Sequence, residues 1–462
     1  MKNITQYLSE VFFSLQYGML DEFVIERTKL FIADYYAACF AGYKINKEFN
    51  RINLEYVKEM GGSEQASVLF DDMKFPAENA AYINSLYAHG ADMDDGNRIS
   101  AGHIGASVLS AVFALGEKLH VTWKEILLAV NVGYEAFNRI AGAAQPGLYK
   151  KGFHATGTAG GIAAGAACAK LLKLSEAGIY NTISLAALQA SGLLIIDESG
   201  QACKPINAAN AARIGVRCAV LAEKGVEAPK NPLESSKGWF HAFTDNINEK
   251  VILDNIGKKF TICESYLKIY PTCRHTHSCI DAALIIRDKL KGTMETWTQV
   301  QRIEVFTYFS AIQSTGKIRY PKTAEEAKFS IYYAIAAALV NGRFSLADLD
   351  VEKADPAVWY LADRITLIED SSMEDRESGI RGAKVMVIME DERVVQEIVQ
   401  IPRGEGSNLL TWTELEEKLQ SCGEELISLE TCTQMIERCK NLAADDAFES
   451  ICRLIGNFEN SK

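Results

Sequence analysis

No Cys-x-x-Cys pair occurs in the 462 residues, although the chain holds 11 cysteines. They are scattered from Cys39 to Cys452, mostly in apolar helical stretches. An odd count without a framework reads as reduced thiols in a cytoplasmic protein. The same absence removes the ligand spacing of a cysteine-held iron–sulfur cluster. The first six residues lack the basic start, apolar run and cleavage site of a secretory signal. The longest uncharged window, 177–196, still carries Asn181, Thr182, Ser184, Gln189 and Ser191. It is expected to be a buried core helix and not a membrane span. Positive charge is also short: 48 basic residues against 60 acidic ones give a net charge of -12. That balance disfavours a nucleic-acid or anionic-membrane surface but leaves room for a local basic pocket around an anionic substrate. The glycines between Gly152 and Gly165 follow no strand-like run and include no Gly-Lys-Ser/Thr pair, so they do not make a phosphate loop.

What is present is mostly helix. At this length two domains are the starting expectation. The segment from Phe23 to Gly42 has apolar residues at spacings of three and four and ends on glycine; another helix is expected from Thr122, a candidate N-cap, to Ala141. The small-residue stretch after His154 predicts a helix that a neighbour can approach closely. Lys204, just before Pro205, stands at a further helix entrance. Past residue 265 the texture changes. Residues 299–309 and 364–369 alternate as strands do, and 384–389 with 394–399 reads as a hairpin. Helices are expected between these strands at 278–290, 324–340 and 345–349, and again from Thr411 to the end, including 444–454. The fold class is therefore mainly α. A large all-α domain (1–265 and 403–462) is interrupted by a smaller α+β domain (266–402).

Chemistry concentrates in one stretch between two helical runs, where His89, Asp92, Asp94, Asp95, Arg98 and His103 fall within 15 residues. Three acids and two imidazoles can hold a divalent metal (through His89, Asp92, Asp95 and His103), shuttle protons, or cap two helices. Asp94 and Asp95 suit caps as well as catalysis, and His89 suits a satisfied core position. Further on, Arg274-His275-Thr276-His277 gathers cationic groups at the predicted domain junction, and clefts between domains are common substrate sites. His275 and His277, two residues apart, diverge on a strand or a helix, so one of them is expected to reach a site. His120 and His241 carry no motif and read as surface residues.

These motifs, in this order, resemble the MmgE/PrpD family. His89-Gly-Ala-Asp92-Met-Asp94-Asp95 with His103 is similar to the family's His-x-x-Asp-Phe-Asp-Asp…His-Pro-Ser. Gly152-Phe-His154-Ala-Thr156-Gly is similar to Gly-x-His-x-Thr-Gly, and Lys204-Pro-Ile-Asn207 to Lys-Pro-x-His. Tyr270-Pro-Thr-Cys273-Arg274 is similar to Tyr-Pro-x-Cys-Arg, and Ala327-Lys328-Phe-Ser330 with Tyr333 to Ala-Lys-Phe-Ser-x-x-Tyr. Departures fall close to the inferred site: Gly96 replaces a threonine, Ile104 a proline, and Asn207 a histidine.

The resemblance implies a cofactor-free, metal-free enzyme acting on a small di- or tricarboxylate, a homodimer with a smaller lid domain. The first expectation is a hydro-lyase of the 2-methylcitrate dehydratase type. The alternatives are a cis-aconitate-type decarboxylase, an iminodisuccinate-type epimerase and an inactive helical binding protein. His103 is cast as general acid/base with Asp92 as its partner, and Tyr333 as a second proton donor. His154 and Lys204 complete the catalytic set. Arg274, His275, His277 and Asp95 are expected at the substrate, where the planar guanidinium suits a carboxylate.

Overall fold

The computed structural model describes residues 3–197, 201–291, 294–375 and 379–448. It is mainly helical with a small sheet, and the chain divides into two compact units: 1–90, 94–265 and 411–462, against 91–93 and 266–410.

In the first unit, the helix Ala77–Gly90 lies among Glu22–Ile45, Gly105–Leu119 and Pro205–Glu223. Every residue of Ala77–Gly90 except Glu78 is buried, which requires neighbours on all sides and explains its lack of a polar face. Gly42 does not end its helix, which runs on to Ile45. It lies where that helix passes Ala77–Gly90: a Cβ at this position would come within 1.9 Å of the Tyr87 carbonyl oxygen. The helix Trp123–Ala144 begins at Thr122, whose N–H donates to the Glu125 carboxylate at 2.7 Å. The small-residue stretch gives Gly160–Leu171, packed against Trp123–Ala144 and Pro205–Glu223.

The window 177–196 departs from expectation. Its helix, Glu176–Ala187, stops nine residues early, and Leu188, Leu193 and Ile195 are exposed at 64%, 56% and 60%. The chain end returns to this unit as Trp412–Gly423 and Leu429–Lys440. Residues 444–448 form turn and bridge, not helix, and the rest of the expected terminal helix lies outside the described residues.

The second unit is built on a four-stranded sheet in the order Ile365–Glu369, Val300–Thr307, Ala383–Met389, Val394–Val399. The first pair is parallel, with Ile303 opposite Ile365; the others are antiparallel, with Val305 opposite Val385 and Ala383 opposite Val399. The predicted hairpin is the last pair. The helix His277–Leu290 packs on these last two strands. The expected helix at 324–340 is two, Ala324–Lys328 and Ile331–Asn341, because Ser330 caps a new start by accepting from the Tyr333 N–H. Among the described residues no helix is long and apolar enough to cross a membrane.

Candidate functional site

In the first unit the imidazoles of the opening stretch converge on Asp94. His89, in the last turn of its helix, has Nδ1 2.8 Å from Asp94 Oδ2. His103 Nδ1 donates to the Asp95 carbonyl oxygen at 2.9 Å and lies 3.3 Å from Asp94 Oδ1, a charge contact more than an aligned hydrogen bond. Donation from Nδ1 fixes the tautomer and makes Nε2 the basic nitrogen of His103. The His89 ring stands 4.8 Å from that of His103 and 5.8 Å from that of His154. Two imidazoles thus flank the Asp94 carboxylate, and a third stacks on the His89 ring.

Local hydrogen bonds explain why the loop holds this shape. Asn97 N–H donates to the Gly102 carbonyl, and the Asn97 side-chain oxygen accepts from the Ile99 and Ser100 N–H groups, an Asx-type turn. Ser100 is tied to Asn138 at 2.8 Å, and the His103 N–H donates to Thr156 Oγ1 at 2.9 Å. The Thr156 bond links the first motif to the second. His154 is itself held by its N–H to the Gly192 carbonyl, and Asn207 Nδ2 lies 3.2 Å from His154 Nδ1. Lys204 stands at the N-cap of Pro205–Glu223, half-buried, as the Pro205 signal predicts.

The two neighbouring acids have opposite electrostatics. Burial alone would raise Asp94, but the charges of His103 and then His89, with their hydrogen bonds, hold it well below the usual carboxylate range. Asp95 is pushed up to about 8, by burial first and the Asp94 charge second, against the Tyr134 hydroxyl and the Gly105 N–H. Both of those groups donate to it, at 2.9 and 2.8 Å. Asp95 is thus a buried anchor for the start of Gly105–Leu119, which is a capping role. Gly105 is required there, since a Cβ would fall 2.5 Å from Asp95 Oδ1.

His89, Asp94 and His103 could each turn one donor atom to a shared point, with those atoms within 4.8 Å of one another. The donor types suit a divalent metal, and the set differs from the expected one by bringing in Asp94.

The remaining candidates lie in the second unit. Asp92, with φ 52°, has its carboxylate 3.1 Å from Lys268 Nζ, and its carbonyl accepts from the same ammonium at 2.7 Å. Lys268, 1% exposed, went unnoticed in the sequence; its signal is a lone lysine between apolar residues in Tyr266-Leu-Lys-Ile-Tyr. Arg274 is buried, paired with Glu405 at 3.1 Å, donating to the Arg403 carbonyl at 2.9 Å and lying over the Tyr266 ring. His277 is fully buried beside it and held well below its ordinary value, by burial first and the Arg274 and Lys268 charges next. His275 turns elsewhere, with Nδ1 2.7 Å from the Tyr308 hydroxyl, so the two histidines do diverge. The Tyr333 hydroxyl donates to the Asp348 carbonyl at 2.7 Å, and burial raises its pKa. His120 and His241 are exposed, as expected.

Buried carboxylates thus lie against imidazoles in a mainly helical chain with a small sheet. The chain belongs to the MmgE/PrpD family: the MmgE/PrpD N-terminal domain matches residues 6–250 and the MmgE/PrpD C-terminal domain residues 270–442. It is 26% identical over 451 residues to the human cis-aconitate decarboxylase, covering 96% of this chain and 92% of that protein. Against the Aspergillus terreus cis-aconitate decarboxylase the figures are 25% over 403 residues, 82% and 81%. An alkylcitrate dehydratase of Talaromyces stipitatus is 28% identical over 141 residues, 30% of each chain.

Proposed function

We propose that this protein is a decarboxylase of a cis-aconitate-like unsaturated tricarboxylate. The order of expectations is thereby reversed, because relatives matched over most of the chain carry the decarboxylase name and the dehydratase matches over less than a third. The observation that carries the reading is the ionised Asp94 beside His103.

In the reaction the bond from the allylic carbon to its carboxylate breaks and CO₂ leaves. The electron pair moves through the double bond, and a proton is added at the far carbon, beside a surviving carboxylate. Such a step needs a proton donor and charge stabilisation, not an oxidant. His103, doubly protonated, donates from Nε2; Asp94 stabilises that imidazolium, and the Asp95 carbonyl keeps the ring aimed. His154 and Lys204 hold substrate carboxylates. Arg274 is assigned to clamping the chain at 402–405 in place of the expected substrate contact, since its Nη1 and Nη2 already meet Glu405 and backbone carbonyls. Tyr333 is likewise given a packing role.

The test is incubation with cis-aconitate, with CO₂ release and loss of unsaturated-acid absorbance followed together, and with alkylcitrates in parallel. His103→Ala and Asp94→Asn are each expected to lower kcat about 10²- to 10⁴-fold with the fold intact by circular dichroism. Turnover of alkylcitrate without CO₂ release would replace decarboxylation by dehydration. Loss of activity on chelation with recovery on adding a divalent ion would replace the imidazolium mechanism by a metal one.

A further inference from the structure

His89 is the buried imidazole that the mechanism above leaves without a task. It is 1% exposed, in the last turn of Ala77–Gly90, and its two ring nitrogens are treated unequally. Nε2 is buried and meets no hydrogen-bond partner among the described residues, so this is not the satisfied core histidine that its setting suggests. Nδ1 lies 2.8 Å from Asp94 Oδ2. Asp94 is held ionised and has no proton to give, so His89 Nδ1 is the donor. An apolar side chain would fill the same space without burying an unmatched nitrogen; the position therefore serves the Nδ1–H. The other oxygen of Asp94 faces His103. Oδ1 is 3.3 Å from His103 Nδ1 but takes no aligned hydrogen bond from it, because that proton goes to the Asp95 carbonyl at 2.9 Å. A carboxylate is the stronger acceptor of the two. Released at Oδ2, Asp94 would turn about its Cβ–Cγ bond and take the proton from the carbonyl, and the His103 ring would turn with it.

We propose that His89 is a positioning residue that restrains the Asp94 carboxylate, so that His103 keeps its Nδ1–H on the Asp95 carbonyl while Asp94 supplies only charge. His89 acts through Asp94 and carries no proton of the reaction. The orientation of the His103 ring follows from these contacts alone. Its consequence for turnover rests on the function proposed above.

Asparagine and glutamine separate the two ring nitrogens. In His89→Asn the amide nitrogen, borne on Cγ, can take the place of Nδ1; in His89→Gln it falls nearer that of Nε2, and His89→Leu has no donor. The measurement is ¹H–¹⁵N correlation of the imidazoles in the full chain labelled at its seven histidines, with His103 assigned by its loss in His103→Gln. The His103 Nδ1 proton should have the same chemical shift in the unaltered protein and in His89→Asn, that of a bond to a neutral carbonyl. In His89→Leu and His89→Gln it should move downfield, as the bond passes to a carboxylate. With cis-aconitate as substrate, kcat should fall about 10- to 100-fold in His89→Leu and His89→Gln while KM holds within about twofold. His89→Asn should restore most of kcat. An unmoved His103 proton in His89→Leu overturns the proposal, as does His89→Asn behaving like His89→Leu. If His89→Leu fails to fold by circular dichroism, the contrast between His89→Asn and His89→Gln decides alone. The expected shifts with no turnover of cis-aconitate or alkylcitrates would keep the positioning and defeat the function. Turnover unaffected by any His89 substitution would do the reverse.

Discussion

Asp94 and Asp95 are adjacent in sequence, yet one is held ionised and the other is pushed towards neutrality. The difference lies in what each carboxylate faces: imidazoles for Asp94, a phenol and a backbone amide for Asp95. The raised value has a measurable consequence. An unfolded aspartate titrates near ~3.9, so between there and about 8 the folded protein retains a proton that the unfolded chain has released. Stability therefore falls as pH rises through that window. Asp34 contributes a similar slope, but only up to about 6. Asp95→Asn keeps an acceptor for the Gly105 N–H and is expected to flatten the decline, most visibly between pH 6 and 8. Thermal melts across that range are the check, and an unchanged slope would show that Asp95 is ionised throughout. At this scale the sequence reading singled out the stretch in which His89 and His103 flank Asp94. It could not choose among Asp92, Asp94 and Asp95, because backbone turns of a few ångströms decide which carboxylate meets which ring.

The helices show what periodicity reports and what it omits. Thr122, and Pro205 after Lys204, are local signals and gave correct starts, because capping is settled within a single turn. Gly42 was misread as a stop. A glycine can end a helix by its backbone freedom or sit inside one to admit a neighbour, and only the partner helix tells which. The structure predicts that Gly42→Ala, harmless in an isolated helix, will destabilise this protein by about 1–3 kcal/mol, because Glu22–Ile45 and Ala77–Gly90 must move apart. Thermal or urea unfolding reads this, and a stabilised variant would contradict the crossing. The window 177–196 failed for the opposite reason. Lack of charge made it look like continuous core, whereas the helix ends at Ala187 and Leu188, Leu193 and Ile195 beyond that point are exposed.

Across the whole chain, long-range polar pairs join segments far apart in sequence. Lys418, near the end, has Nζ 2.6 Å from Asp34 Oδ1, and neither side chain is more than 1% exposed. Trp412 Nε1 donates to Glu26 at 2.6 Å, so the returning helix is fixed to Glu22–Ile45 at two levels. Lys418→Met, which strands Asp34 in the core, is expected to cost about 3–5 kcal/mol in urea unfolding. Pairing it with Asp34→Leu should recover most of that loss. A single variant as stable as the parent would mean that Asp34 is already neutral.

The mainly helical class, the strands past residue 300 and the family, through its separated motifs, were all legible in the residues alone. Each of these is written in local patterns of polarity, turn residues and spacing. Only the tertiary structure decided that Asp94 is the carboxylate between His89 and His103, that Asn207 faces His154, and that Arg274 meets Glu405. Those pairings depend on where distant backbone segments come to rest, and no short window of sequence contains that information.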